Sequence, residues 1–241
     1  MFSTQAEFER AIRDACFFTA GTATMGVFED IKAVLYIDPA GAAILPHEYV
    51  NNAYAAYRAT GRASNSLNGN VFELIIYCLL AQKEIEPFFT QTQLSLVPHV
   101  EFDLVLYALD DNEFDRRTTG QTKAQKQAVY NAMTNGNSVK IKPICISLKT
   151  STRERFKQAD LEAYILKNVH RNADCYLMVL NAEDCNSINE KIAENACLAL
   201  KKAVAASTTA LDDFIQTLCT DYTFVKPKPI PVYRTGREYT R

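Results

Sequence analysis

Apolar positions recur along the chain with two different periods, and together these predict an α/β protein. Helical spacing predicts helices over residues 5–18, 28–36, 47–58, 71–82, 123–133, 152–169, 187–206 and 211–220. Short apolar runs predict strands over residues 93–97, 100–107, 142–149 and 174–180. The polar stretch 61–70 predicts a loop that caps the next helix, and the proline-rich stretch 226–231 predicts extended chain. We therefore expect an α/β fold with a central mixed β-sheet flanked by helices.

Length and composition suit one domain. The chain has 241 residues, of which 48 % are hydrophobic and 22 % charged, as in ordinary globular proteins. Its longest apolar run, 74–81, is far shorter than the ~20 residues that cross a bilayer, so we expect no membrane partner. The N-terminus lacks an apolar secretion core, and none of the seven cysteines forms a CxxC pair. We expect free thiols and a cytoplasmic protein.

Charge is distributed unevenly along the sequence. Residues 1–113 contain 6 Lys/Arg against 15 Asp/Glu, whereas residues 114–241 contain 20 against 13. The basic second half fits a protein with one side that faces a polyanion such as a nucleic acid. It fits equally well two oppositely charged surfaces that pair with each other.

Several common catalytic motifs are absent from the sequence. No glycine-rich phosphate loop is present, and neither is the GxSxG turn of a serine nucleophile. The three histidines lie far apart, without the spacing of a zinc hydrolase. Carboxylates and basic side chains remain as the chemical groups available.

The densest group of such side chains spans residues 147–162. The Ser151-x-x-Glu154 spacing has the form of a capping box, which places Arg153 and Arg155 in the first turn of a helix. The helix dipole disfavours cations there by ~0.3–1 kcal/mol each, so an anionic or acceptor-rich partner is indicated. Arginine pairs with the guanine edge and glutamate accepts from cytosine, so the triplet 153–155 suits G·C pairs. The alternative is a solvated face, with Glu154 paired to its arginine neighbours, Lys157 or Gln158.

Three acids are candidates for binding a metal. Asp103 lies within an apolar strand, Glu73 within an apolar helix and Glu162 on the helix that follows Lys149. Taken singly, each acid has a simpler interpretation. Asp103 would be exposed at a strand end, Glu73 would be an acid favoured at a helix start, and Glu162 would be a solvent-facing partner of Arg155 or Lys157. Taken together, acids from a strand and two helices beside a strand lysine form the donor set of a divalent-metal hydrolase.

The order Glu73 … Asp103 … Ser147-x-Lys149 resembles the PD-(D/E)XK nuclease superfamily, with Phe102-Asp103 in place of Pro-Asp. Ser147 stands where the family usually has an acid. One branch of type II restriction endonucleases shares this departure and supplies the acid from the next helix, 12 or 13 residues after the lysine. Twelve residues separate Lys149 from Glu162. That branch also reads CC/GG targets with a basic-acidic-basic triplet just after the lysine, and residues 153–155 occupy that place. The start of its catalytic-core helix resembles residues 69–73.

The resemblance implies a Mg²⁺-dependent type II restriction endonuclease that cleaves double-stranded DNA at a short palindrome containing G·C pairs. Asp103 and Glu162 would bind the metal, Glu73 a second metal or a water, and Lys149 would position the attacking water. The residues expected to contact DNA are Arg153, Glu154, Arg155 and Lys157. A palindromic target implies a homodimer. The single nuclease domain, 1–241, would comprise a helical elaboration (1–60), a catalytic core (65–180) and C-terminal helices with a tail (181–241).

Two other functions are compatible with the same residues. A repair or junction-resolving nuclease of the superfamily would share the metal site but read the shape of DNA. A DNA-binding module with a decayed site would have no activity. The chain contains no tryptophan, so stacking on an extruded base would fall to Tyr54, Tyr57 or Arg58.

Overall fold

The protein is described here by a computed structural model. It describes residues 2–15, 23–83, 85, 89–93, 100–109, 122, 125, 141–150, 156–169, 171–222, 224, 232–234 and 237–239.

In the described residues four helices come first and three strands follow, after which helices and strands alternate up to a final pair of strands. The helices are α1 (Gln5–Ala15), α2 (Ala23–Leu35), α3 (Pro46–Ala59), α4 (Asn65–Gln82), α5 (Phe156–Val169), α6 (Ala182–Ala193) and α7 (Thr209–Asp221). The strands are β1 (Phe89–Gln93), β2 (Glu101–Leu109), β3 (Ile141–Lys149), β4 (Asp174–Val179), β5 (Lys202–Ala205), β6 (Val232–Arg234) and β7 (Arg237–Tyr239).

Within the described ranges these seven strands form one mixed sheet in the order β5-β4-β3-β2-β1-β6-β7. Strands β3, β4 and β5 are parallel, and helices α5 and α6 provide the crossovers between them. The remaining pairs are antiparallel. The carboxyl ends of β3, β4 and β5 therefore lie at the same edge of the sheet.

Two separate hydrophobic clusters cover the two faces of the sheet. The first packs α1–α4 and α7 against alternate residues of the strands, including Ile144, Ile146 and Leu148 of β3. The second packs α5 and α6 against the intervening residues, including Cys145 of β3 and Leu177 of β4. This alternation is the period of two that buries both faces of a central strand. The prediction of a mixed sheet flanked by helices is confirmed.

Two helices begin earlier than the sequence pattern predicted. Helix α4 begins at Asn65 rather than at 71, because Ser64 caps it by accepting from the Leu67 main-chain N at 3.3 Å. Leu67 is buried one turn before Val71 and so extends the apolar face of the helix into the polar stretch. Helix α2 begins at 23 rather than at 28, and it contains Gly26.

The prediction of one helix over residues 187–206 is wrong. Helix α6 ends at Ala193, and residues 202–205 form strand β5, parallel to β4. Alanine favours helices, which made this alanine-rich run helical in pattern. Residues of the run are buried in both hydrophobic clusters, one on each face of the sheet. This burial and the pairing with β4 override the local preference.

Several other predictions fall wholly or mainly outside the described residues. These are the helix over 123–133, the extended tail 226–231 and the strand over 93–97, of which only Gln93 is described, as the last residue of β1. The pairing of β6 with β7 was not predicted from the sequence. Within the described part of the chain, no helix combines the length and apolar character needed to span a bilayer.

Candidate functional site

The central feature of the site is a contact between adjacent strands. Leu104 of β2 lies opposite Ile146 of β3, so Asp103 stands one position before that pair and the end of β3 lies close by. The Asp103 Oδ2 atom accepts hydrogen bonds from Lys149 Nζ at 2.9 Å and from the Leu148 main-chain N at 2.6 Å. The side chains of Lys149 and Asp103 are only 16 % and 23 % exposed, so the ion pair is largely withdrawn from solvent.

The alternation of side chains along β2 is interrupted at Asp103. Phe102 packs into the second cluster and Leu104 into the first, although regular alternation would put them on one face. Ser147 of β3 is buried, and its place in the alternation puts it, with Lys149, on the face covered by α5. Asp103 and Lys149 thus meet at the edge of the sheet where β3 ends.

Glu73 lies on the opposite face of the sheet from α5. It is 3 % exposed within α4, whose side chains belong to the first cluster. Asn65 and Asn68, at the start of α4, line a pocket together with Thr150, which follows β3. Glu73 follows Asn68 by five residues on the same helix, further along it from the pocket.

Glu162 is on α5, which belongs to the second cluster. Its Oε1 atom accepts from the Gln158 Nε2 atom, one helical turn earlier, at 2.8 Å. Gln158 is thus a partner of Glu162, whereas the sequence suggested Arg155 or Lys157. Lys157 itself is exposed on the same helix. The triplet Arg153-Glu154-Arg155 lies outside the described residues.

A Mg²⁺ ion at this place would need carboxylate oxygens with free acceptor capacity. In the ranges that the structure describes, no group of three or more His, Cys, Asp and Glu side chains is arranged to hold a metal ion. Mg²⁺ is commonly held by only one or two carboxylates, with waters and substrate phosphates completing its shell. A carboxylate has about four acceptor sites, and both bonds to Asp103 described above end on Oδ2. Asp103 therefore fits the role of such a ligand.

A pocket of about 520 Å³ opens beside the end of β3. It is lined by side chains from α3 and α4 and by the segments that follow β3, β4 and β5: Asn51, Tyr54, Ala55, Arg58, Asn65, Asn68, Thr150, Leu180, Asn181 and Ser207. The Arg58 guanidinium lies over the Tyr54 ring at 5.4 Å from its centroid. Burial raises the pKa of Tyr54, and the nearby Arg58 charge only partly opposes this, so the phenol stays neutral.

Two of the three residues suggested for stacking line this pocket, and the third does not. Tyr57 is fully buried, and its hydroxyl donates to Asn68 Oδ1 at 2.9 Å. The asparagines of the pocket were not identified from the sequence. They come from two helices and a strand end, and no spacing in the sequence relates them.

Comparisons with known proteins give one structural likeness. No protein-family model matches the sequence, and no curated protein matches it. Among solved structures, a complex of the restriction endonuclease PspGI with its substrate DNA is similar over 83 % of this chain and 76 % of that one. The sequence identity is 16 % and the TM-score 0.38. At these values the function has to be argued from the residues of the site.

Proposed function

We propose that this protein is a Mg²⁺-dependent type II restriction endonuclease that cleaves double-stranded DNA at a short palindrome containing G·C pairs of the CC/GG type. The observation that carries the proposal is the partly buried Asp103–Lys149 pair at the end of β3. An ion pair costs free energy to withdraw from water, so a pair placed where β3 ends favours a chemical role over a stabilising one.

The catalytic roles follow from the chemistry of these side chains. Lys149 carries a positive charge next to the carboxylate, where it would orient the attacking water and offset the charge that develops on the phosphate. Asp103 holds that ammonium in place and would contribute a carboxylate oxygen to the metal. Glu73 would bind or orient a second metal or a water from the other face of the sheet.

Glu162 would complete the metal site from α5, in place of the acid that Ser147 lacks. Mg²⁺ bound by Asp103 and Glu162 would supply a Lewis acid toward a phosphoryl oxygen. Because Glu162 comes from a helix rather than from β3, its placement depends on how α5 is seated on the sheet.

DNA recognition would use two parts of the molecule. Arg153 and Arg155 would donate to guanine edges and Glu154 would accept from cytosine, while Lys157 would contact phosphate. The pocket beside Thr150 offers amides that pair with base edges, and the Arg58 guanidinium, which lies over the Tyr54 ring, offers a surface for stacking. The triplet follows Lys149 closely in the sequence, and the pocket includes Thr150, the residue next to it.

A homodimer would place one such site on each half of a palindrome. Helix α5 exposes three large apolar side chains, Leu161, Tyr164 and Ile165, at helical spacing on one face. A second copy of the chain would cover such a face. Light scattering at several protein concentrations tests this, and a monomer that cleaves both strands at one site would contradict it.

The decisive experiment incubates the protein with a sequenced plasmid and Mg²⁺, and then maps the ends. The proposal expects discrete fragments with ends at one short palindrome. Nicks that depend on the structure of the DNA would identify a repair or junction-resolving nuclease. Binding without cleavage would identify an inactive DNA-binding module. Lys149→Ala serves as the control for a contaminating nuclease, because it should remove cleavage at that palindrome.

A further inference from the structure

A second acid on α5, Asp160, is buried and has no part in the chemistry described above. Its side chain is among the buried polar groups, with 6 % of the residue exposed. It accepts three main-chain hydrogen bonds from the segment that leads into β5. Leu198 N donates to Oδ2 at 2.7 Å, and Ala199 N and Leu200 N donate to Oδ1 at 2.9 and 3.0 Å.

These hydrogen bonds fix the position of α5, which the packing of its apolar side alone does not define. Three apolar residues of the helix are buried, Ala159, Ala163 and Leu166, and Phe156 at its first position packs against the same cluster while partly buried. Two of the three carry a single methyl group, so they allow a close approach but offer little relief that would interlock with the sheet. Hydrogen bonds are directional in both distance and angle. Three of them on one carboxylate therefore set the rotation and the height of α5.

Glu162 lies two residues after Asp160, about 200° further around the helix. Asp160 thus anchors one flank of α5, and Glu162 projects from the other. A metal ligand must be held within ~0.5 Å and 10–20° of its working position. Any rotation of α5 moves Glu162 relative to Asp103, which is carried by the sheet.

The chemistry of the anchor requires a carboxylate. All three partners are N–H donors, and an ionised carboxylate is an acceptor only. Asparagine at this position would offer one acceptor oxygen and turn an NH₂ group toward a donor. We propose that Asp160 is a positioning residue, whose three main-chain bonds seat α5 so that Glu162 reaches the metal site. This inference rests on the proposed function.

The test uses Mn²⁺ as the probe, measured by the loss of its free-ion electron paramagnetic resonance signal, with full-length protein and DNA present. Two variants are compared with wild type. Asp160→Asn disrupts the bonds, whereas Asp160→Glu keeps the charge and the acceptors but lengthens the anchor by one methylene. We expect both to lower Mn²⁺ affinity by at least about 10-fold, because Glu162 would no longer be held within ~0.5 Å of its working position. We also expect kcat to fall while KM for DNA changes little.

Asp174→Asn is the matched control for a general loss of stability. Asp174 is also a buried acid, and its Oδ2 atom accepts from Lys142, Lys201 and Tyr222 at 2.7–2.9 Å. It stands at the amino end of β4, away from the carboxyl end where Lys149 lies. Its Mn²⁺ affinity should equal that of wild type when each protein is measured at the same interval below its own unfolding temperature.

A double-mutant cycle separates positioning from mere destabilisation. In a Glu162→Gln background, Asp160→Asn should lower Mn²⁺ affinity no further, because the ligand that it positions is already lost. An equal further loss in that background would overturn the inference, as would normal Mn²⁺ binding by both Asp160 variants. If wild type neither binds Mn²⁺ nor cleaves DNA, the proposed function itself fails, and the role of Asp160 fails with it.

Discussion

Lys149 Nζ and Asp103 Oδ2 lie 2.9 Å apart although 46 positions separate the two residues in the sequence. The Leu148 main-chain N donates to the same oxygen, so the backbone of β3 holds the carboxylate as firmly as the lysine does. Both residues belong to paired strands, and the register of those strands brings them together. The strand-borne half of the site is thus preorganised, whereas the helix-borne acids depend on packing.

The first prediction concerns Lys149. Lys149→Met removes the ammonium group but keeps the apolar stem, so the chain should fold while cleavage falls by at least ~100-fold. The measurement is the rate of plasmid linearisation in Mg²⁺, with unfolding followed by circular dichroism.

Lys202→Met is the control for this change, because Lys202 is an exposed lysine at the amino end of β5. It should leave the rate unchanged. Asp103→Ala should also abolish cleavage, and without metal it should bind DNA more tightly because a negative charge near phosphate is gone. Near-normal cleavage by either the Lys149 or the Asp103 variant would remove this pair from the site.

The second prediction concerns the missing strand acid. Glu162→Ala should be inactive, and Ser147→Glu combined with Glu162→Ala should regain part of the activity by returning the acid to β3. Ser147 is 1 % exposed, so the new carboxylate should lower the unfolding temperature in the absence of metal. Added Mg²⁺ should recover that loss, which thermal unfolding measures without reference to activity. Full activity of Glu162→Ala would contradict the role assigned to this residue.

The third prediction concerns the triplet 153–155. Each bidentate arginine–guanine pair contributes ~1–3 kcal/mol of discrimination, so Arg153→Ala or Arg155→Ala should weaken cognate binding about 10- to 100-fold. Binding to scrambled DNA should change much less. Glu154→Ala should lower specific affinity while leaving non-specific affinity equal or higher. Gel-shift titrations in Ca²⁺, with cognate and with scrambled DNA at two salt concentrations, measure these affinities.

Lys157 provides the contrast in this series. It is exposed on α5, and a phosphate contact there would weaken binding to every sequence alike. Lys157→Ala should also reduce the salt slope by about one unit. If the arginine variants behaved in the same way as Lys157→Ala, the triplet would be an electrostatic clamp without base readout.

The fourth prediction concerns stability and pH. Burial by itself raises the pKa of Asp174, but the bonds from Lys142, Tyr222 and Lys201 outweigh it and hold the pKa below its ordinary value of 3.8. A carboxyl group whose pKa is lower in the folded state stabilises the fold above its unfolded pKa, and this contribution is lost as the pH falls through the folded pKa. Asp174→Asn should therefore cost ~2–3 kcal/mol of unfolding free energy near neutral pH.

The difference between wild type and Asp174→Asn should be constant from pH 6 to 8 and shrink below about pH 4. Urea unfolding at a series of pH values measures it. A difference that stayed the same down to pH 2 would show that the carboxylate charge does not stabilise this cluster.

The strands of the site were predictable because their apolar runs are strong local signals. Residues 142–149 and 174–180 were predicted within one residue of β3 and β4 at each end. The contact between Asp103 and Lys149 was predictable only by considering the candidate residues together, because the sequence around either residue does not indicate which side chain it contacts. Strand β5 was missed because its four residues are stabilised by their neighbours and not by their own preference.

The helix-borne parts were harder to predict for a different reason. The sequence gives the position of Glu162 along its helix, but the seating of that helix depends on Asp160 and the main chain of residues 198–200. Those groups are 38 to 40 positions apart, and main-chain donors leave no mark in the sequence. Glu73 likewise lies on a helix that is apolar on nearly all sides, so its burial was predictable but its direction was not.

The division of the interior into two clusters separates the two helix-borne acids. Glu73 belongs to a helix that packs in one cluster and Glu162 to a helix that packs in the other, with the sheet between them. A substitution that repacks the side of α5 and α6 can therefore alter the seating of Glu162 while leaving α4 and the pocket unchanged. Under the proposed function, the acid on α5 can thus be displaced while the Asp103–Lys149 pair, held between two strands, keeps its geometry.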